Sequence, residues 1–174
     1  REELVGLSVF SKPIDSLDVT ANFTFRDPGS IKLGDGSELT RSDDDILSGL
    51  LKGIYDVGGG HTAEVSLLSF RNDAKEPNVG QGRAGNDLES DTARLSWRYD
   101  APANEMIDLD TQVYYSRNRI DETRLDNNGA GAQGDVLKRD VDTLGFRADN
   151  RSRPAWLSNG DVTLVYGLEG YRDV

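Results

Sequence analysis

Strict two-residue alternation recurs along the chain, and no other feature constrains the fold as much. In "DTARLSWRYD", Ala93, Leu95, Trp97 and Tyr99 alternate with Thr92, Arg94, Ser96 and Arg98. In "DVTANFTFRD", Val19, Ala21, Phe23 and Phe25 alternate with Thr20, Asn22, Thr24 and Arg26. Ala63, Val65 and Leu67 alternate with Thr62, Glu64 and Ser66, and Leu144, Phe146 and Ala148 with Thr143, Gly145, Arg147 and Asp149. Ile107, Leu109, Val113 and Tyr115 alternate with Asp108, Asp110, Gln112 and Tyr114. Near the end, Val162, Leu164, Tyr166 and Leu168 face away from Thr163, Gly167 and Glu169. A strand points successive side chains to opposite sides, so this pattern predicts strands with one apolar and one polar face. "ILSGLLKGIYDV" is ambiguous by itself. Placing Lys52 on the polar side puts Leu47, Leu51 and Tyr55 on the apolar one. The reading is all-β, with about eight antiparallel strands and no helix.

The segments between strands differ in length. "SKPIDSLD", "DVGGGHT", "DAPANEM" and "NRSRPAWLSNGD" are short and hold turn-forming Gly, Pro, Asn and Asp. "RDPGSIKLGDGSELTRSDDD", "RNDAKEPNVGQGRAGNDLESD" and "RNRIDETRLDNNGAGAQGDVLKRD" are polar and run to roughly 20 residues, beyond the usual loop length. In an up-and-down sheet all the long connections fall at one end. That arrangement, with apolar and polar faces, predicts a transmembrane β-barrel wall: charged side chains are costly toward lipid and cheap toward a watery lumen. Arg94, Arg98, Asp108, Asp110, Glu64, Arg147 and Glu169 are assigned to the lumen side. Leu164, Tyr166 and Leu168 are assigned to lipid, and Tyr55, Trp97, Tyr99, Tyr115 and Tyr166 to interfacial girdles. About ten residues at roughly 3.3 Å, tilted near 40°, would span roughly 25 Å. Asp108 and Asp110 are expected to pair with Arg94 and Arg98 on the preceding strand.

Bulk properties agree. The 174 residues carry 31 acidic and 20 basic side chains, a net charge of -11, which argues against nucleic acid as a partner. Cysteine is absent, which excludes disulfides and cysteine-bound metals. No apolar run reaches the length of a membrane helix, and the mean hydropathy of -0.58 is compatible with a barrel.

"DVDTLGFRADNRSR" (140–153), followed by "GDVTLVYGLEGYRDV" (160–174), resembles consecutive barrel strands of TonB-dependent outer-membrane receptors, nearest the haem and haemoglobin (or haemophore) branch. "DILSGLLKGIYDVGGGHTAEVSLLSFRND" (45–73) is similar to a hairpin of that barrel. The resemblance implies a 22-stranded barrel in the bacterial outer membrane, with a plug domain and a TonB box. It implies energised uptake of haem or another iron complex rather than catalysis. Haem, a haemophore or a haem-carrying protein would meet the outer loops, the TonB complex would act through regions not seen here, and outer-membrane lipid would surround the wall. Residues 1–174 are accordingly read as a partial β-barrel domain, with neither plug nor TonB box in view and Val174 as an internal cut. Ligand contacts are expected within 27–44, 73–90 and 118–140, without a choice of residues. Two other readings are a complete eight-stranded outer-membrane barrel with a structural or adhesive role, and a soluble β-sandwich binding module.

No catalytic or metal-binding residue is assigned. "GQGRAG" (80–85) and "GAGAQG" (129–134) match a dinucleotide fingerprint in letters, but that fingerprint needs a following helix and neither segment predicts one. "SDDD" (42–45) and "GDGSE" (34–38) lack the EF-hand spacing and read as solvated loop. The single histidine, His61, follows three glycines and reads as a solvent-facing turn residue rather than an iron ligand. "FRAD" (146–149) resembles a haem-branch loop motif but falls within a strand, so no ligand residue is transferred.

Overall fold

A computed structural model describes residues 3–39, 44–76, 84–101, 103–127, 132–154 and 162–174. These form eight strands: β1 (Glu3–Ile14), β2 (Leu17–Asp27), β3 (Asp44–Gly58), β4 (His61–Glu76), β5 (Ala84–Asp100), β6 (Asp108–Arg124), β7 (Val136–Ser152) and β8 (Leu164–Asp173). Every strand pairs antiparallel with its sequence neighbours in one sheet of order β1-β2-β3-β4-β5-β6-β7-β8. The all-β, up-and-down reading holds. The sheet is open, because β1 and β8 do not pair with each other. Closure of these eight strands on themselves, as a complete small barrel requires, is therefore absent. No second sheet is present among the described residues, so nothing packs on the apolar face as a sandwich would demand.

Turn chemistry sets the short end. Gly58, which ends β3, and Gly59 and Gly60, which lead to β4, have φ of 89°, 64° and 85°, a left-handed region that L side chains rarely adopt. Asp56 accepts a hydrogen bond from the Gly58 N–H at 2.9 Å and starts the reversal. Between β1 and β2 only Asp15 and Ser16 lie outside strands, so "SKPIDSLD" is mostly strand rather than connection. Pro13 is accommodated because β1 is an edge strand and its register shifts between Ser11 and Ile14. Residues 103–107, before β6, fold back on β7 and the residue after it: Ser152 Oγ donates to the Met106 carbonyl at 2.7 Å, and the Arg153 N–H to the Glu105 carbonyl at 2.7 Å.

At the other end the expectation of loops of roughly 20 residues needs correction. Strands β4 to β7 run 16 or 17 residues, well past the alternating apolar cores. Pairing continues from Arg71↔Glu89 to Glu76↔Ala84, and from Leu109↔Asn150 to Thr123↔Val136. Much of 73–90 and 118–140 is thus strand, so the stretches between β4 and β5 (77–83) and between β6 and β7 (125–135) are no longer than those at the opposite end, 101–107 and 153–163. Both faces of these extensions are polar or mixed, so the two-residue hydropathy signal fades although the backbone ladder does not. Residues 28–43 remain a long connection, braced by an isolated bridge between Lys32 and Glu38.

Candidate functional site

The register places side chains from all eight strands in common rows. One face holds Val5, Leu7 and Val9 of β1, Phe23 and Phe25 of β2, Leu47 and Leu51 of β3, and Val65 and Leu67 of β4. It continues through Leu95 and Trp97, Val113 and Tyr115, Leu144 and Phe146, and Leu164 to Leu168. The opposite face carries Lys52, Glu64, Arg94, Arg98, Asp108, Asp110, Arg147 and Glu169. Every side chain assigned by alternation within a strand falls on its expected face.

The two faces are covered unequally. Leu95 and Trp97 on the apolar face are each 55% exposed, and no hydrophobic residue is buried among those described. On the polar face Ser66 is 9% exposed, and the side chains of Asp108 and Glu64 are 13% and 21% exposed.

Ion pairs neutralise the polar face. Glu64 bridges Lys52 at 2.8 Å and Arg94 at 3.0 Å, linking β3, β4 and β5. Asp108 accepts from Arg98, the closest approach being 3.1 Å, and is 3.5 Å from Arg151. The expected set is therefore partly rearranged. Arg98 reaches Asp108 rather than Asp110, its register partner, and Arg94 goes back to β4 instead of forward to β6. The reason is register: Arg94 faces Tyr114 on β6, four residues from Asp110, whereas Glu64 on β4 is one diagonal step away. Arg147 pairs with Asp149 on its own strand, so the "FRAD" segment sits in β7 with its charges joined to each other. Hydroxyls complete the lining, with Thr92 donating to Ser116 at 3.2 Å and Thr143 to Asp173 at 2.6 Å.

Aromatic residues divide between the two rims of the apolar face. Tyr55, Trp97, Tyr99 and Tyr166 gather toward the short-turn end, whereas Tyr115 marks the other edge and donates to Asp142 at 2.8 Å. His61 opens β4 and stacks on Tyr99 with ring centroids 4.2 Å apart and planes 14° from parallel. The solvent-facing turn assignment is corrected: His61 is half-buried and belongs to this aromatic rim.

Beyond Tyr115, still on the apolar face, lies a ladder of charges that alternation did not reveal. Arg71 grips Asp91 with two nitrogens, at 3.1 and 2.8 Å, and is 3.6 Å from Glu89. Arg119 is 3.7 Å from Glu89 and 3.1 Å from Asp140. Arg117 is 3.1 Å from Asp140 and 3.6 Å from Asp142, and Lys138 is 2.7 Å from Asp121. The ladder crosses β4 to β7 without a break. Opposite charges in "SFRND", "DLESD", "RNRIDE" and "KRDVD" hint at it, but only the register puts them side by side. It also narrows the apolar band. From Ala93 to Tyr99 the strand advances roughly 20 Å, or about 15 Å after a 40° tilt, below the expected 25 Å.

The fingerprint-like glycine runs precede strands. Residues 80–83 and 129–131 lie outside the described residues, Gly85 lies in β5, and Gly134 sits in a turn with φ of 91° just before β7. Among the described residues neither run meets a helix N-terminus. In the acidic loop, Asp35 Oδ1 accepts from the Ser37 hydroxyl at 2.6 Å and the Ser37 N–H at 2.9 Å. Those two bonds hold its carboxyl below the usual range, the hydroxyl contributing most. Asp44 and Asp45 begin β3, and the other two residues of "SDDD" lie outside the described residues.

No protein-family model matches the chain, and no curated protein matches it.

Proposed function

We propose that this sheet is a stretch of transmembrane β-barrel wall, its apolar face turned to lipid and its polar face to an aqueous lumen. The observation that carries the reading is the sorting itself: an uncovered apolar face that runs across eight strands, backed on β4 to β8 by ion pairs and hydroxyls and on β1 to β4 by a mixed face that also holds Leu4, Phe10, Leu50 and Leu68. In water such a face is a large exposed apolar patch; in a bilayer it is the matching surface. The open edges of β1 and β8 support a wall that continues into further strands.

Within that class, the particular reading is a TonB-dependent receptor of the bacterial outer membrane that imports haem or another iron complex. Its support is the resemblance of residues 45–73, 140–153 and 160–174 to barrel strands of that family. The chain contributes wall and external lip. It binds cargo at the lip and performs no bond-making chemistry; inward movement would draw on the TonB complex.

Tryptophan quenching tests the wall. The chain has two tryptophans, so Trp156→Phe leaves Trp97 as the sole reporter. Trp97 fluorescence should be quenched in vesicles of brominated phospholipid, and an unquenched signal removes the membrane reading. Growth on haem as the sole iron source tests the cargo. Cells deprived of the receptor carrying this chain should stop growing, and undiminished growth rejects haem uptake while leaving the wall intact.

A further inference from the structure

A stripe of apolar side chains crosses the polar face diagonally from β3 to β6. Leu50 and Leu68 are register partners, and so are Leu88 and Ile120. Phe70 joins the two pairs: it lies next to Leu68 on that face of β4, and its own partner Ser90 is next to Leu88 on β5. Leu68 is 47% exposed and the other four are half-buried. Apolar surface turned to a watery lumen is unfavourable, so the stripe calls for an apolar occupant.

Resting on the haem-uptake reading above, we propose that this stripe is a platform for an anionic tetrapyrrole, held by its ring face and a carboxylate and with no protein ligand to the metal. Shape is the first reason. The stripe crosses four strands spaced about 4.8 Å apart, a broad surface suited to a flat ring, and Phe70 adds an aromatic face for stacking. Charge is the second. The partner of Ile120 on β7 is Arg139, whose side chain is 59% exposed. Its ion pair with Glu122 is 3.9 Å long, beyond hydrogen-bonding range. Past Thr92, Ser116 and Thr143 on this face, β5 to β7 carry Arg124 and Arg139 against Glu122 alone, so the end of the stripe is net positive. A planar guanidinium takes a carboxylate through two parallel hydrogen bonds. The third reason is the chemistry of the lining. The chain has no cysteine, and its one histidine and one methionine, His61 and Met106, lie at the other end of the sheet. Tyr114 shares the face but is packed over Gly145, roughly 20 Å along β6 from Ile120. The stripe therefore recognises the ring and its acid groups.

The test uses the detergent-solubilised receptor carrying this chain. It is titrated with haemin, metal-free protoporphyrin and protoporphyrin dimethyl ester, with palmitate as competitor. Metal-free protoporphyrin should bind within about threefold of haemin. Arg139→Gln should weaken protoporphyrin about tenfold and leave the dimethyl ester unchanged, since the ester has no carboxylate to lose. Phe70→Ser with Leu88→Ser should weaken both about tenfold, whereas Phe70→Leu, which keeps the apolar surface, should bind nearly as well. Unboiled gel mobility checks that each variant is folded. If folded Phe70→Ser with Leu88→Ser binds both as before, the stripe packs on another part of the protein and the proposal falls. Displacement by palmitate at equal strength also overturns it, since the site would then take an acyl chain. Haemin binding without protoporphyrin binding sinks this inference alone. Binding of neither sinks it as well, and undiminished growth on haem then rejects the cargo reading beneath it.

Discussion

At the scale of single residues, glycine opposite a large ring is a recurrent device in this sheet. Tyr114 and Gly145 are register partners on the polar face, and the tyrosine ring lies over the glycine so closely that Gly145 is buried. A Cβ at Gly145 would meet the ring within any normal contact distance. Phe146 covers Gly170 in the same way on the apolar face. Large rings thereby shield strand glycines that would otherwise weaken the ladder. Gly145→Ala should force Tyr114 off its seat and cost about 1–3 kcal/mol, the usual penalty of overpacking, read as a lower urea midpoint for the detergent-folded protein. A second residue-scale outcome concerns Asp35. Its carboxyl is depressed by Ser37, so the associated turn stability is present above the unfolded pKa and is lost as pH falls through the folded one. Ser37→Ala should move the Asp35 titration upward toward an ordinary aspartate, with the remaining backbone N–H bond keeping part of the depression. Carboxyl-carbon NMR titration checks it.

At the scale of elements, alternation decides which face a side chain takes, and the ladder decides how far a strand extends. β5 shows both. Its inner half, Ala93 to Tyr99, was legible because hydropathy changes at every step. Its outer half, Ala84 to Asp91, was not, because Asp87, Glu89 and Asp91 replace the apolar side chains on the same face. Their partners Arg71, Arg117 and Arg119 come from other strands, so no local pattern marks them. These pairs are more than a third exposed, and each contributes little singly, roughly 0–1 kcal/mol. The backbone pairing beneath them holds the extension together. Neighbouring positions of β5 should respond in opposite ways. Leu95→Arg, on the apolar face, should destabilise the protein folded into vesicles by about 2–4 kcal/mol. Arg94→Leu, one residue earlier on the polar face, should cost less and mainly release Lys52 and Glu64 to each other. Urea titration of folding into phospholipid vesicles measures both, and equal losses would contradict the assignment of faces.

At the scale of the whole molecule, the unpaired edges matter most. β1 is exposed along all 12 residues, and it carries apolar side chains on both faces, with Phe10 75% and Leu4 67% exposed. A long bare apolar edge is a pairing site in any protein, and the wall reading supplies the neighbour it lacks. The chain contains no cysteine, so a pair can be introduced without interference. Cysteines replacing Val5 and Leu168 should form no intramolecular disulfide on oxidation, because a bridge needs Cα atoms within about 7 Å and the two edge strands do not pair. Efficient intramolecular bridging, read by gel mobility before and after reduction, would mean that the eight strands close.

Period-two hydropathy is a local property, written in consecutive residues. From it alone came the all-β class, the eight-strand estimate and the face taken by each alternating side chain. The positions of Leu95, Glu64 and Glu169 were legible for that reason. Three features were not local, and tertiary structure decided them. Whether the sheet closes depends on pairing between β1 and β8, strands at opposite ends of the chain, and no run of consecutive residues records it. The strands outrun their apolar cores because backbone hydrogen bonds do not need apolar side chains. The charged ladder exists because register sets Arg71, Glu89, Arg119 and Asp140 side by side from four strands, and a cross-strand Coulomb contact leaves no trace in the order of residues along one strand.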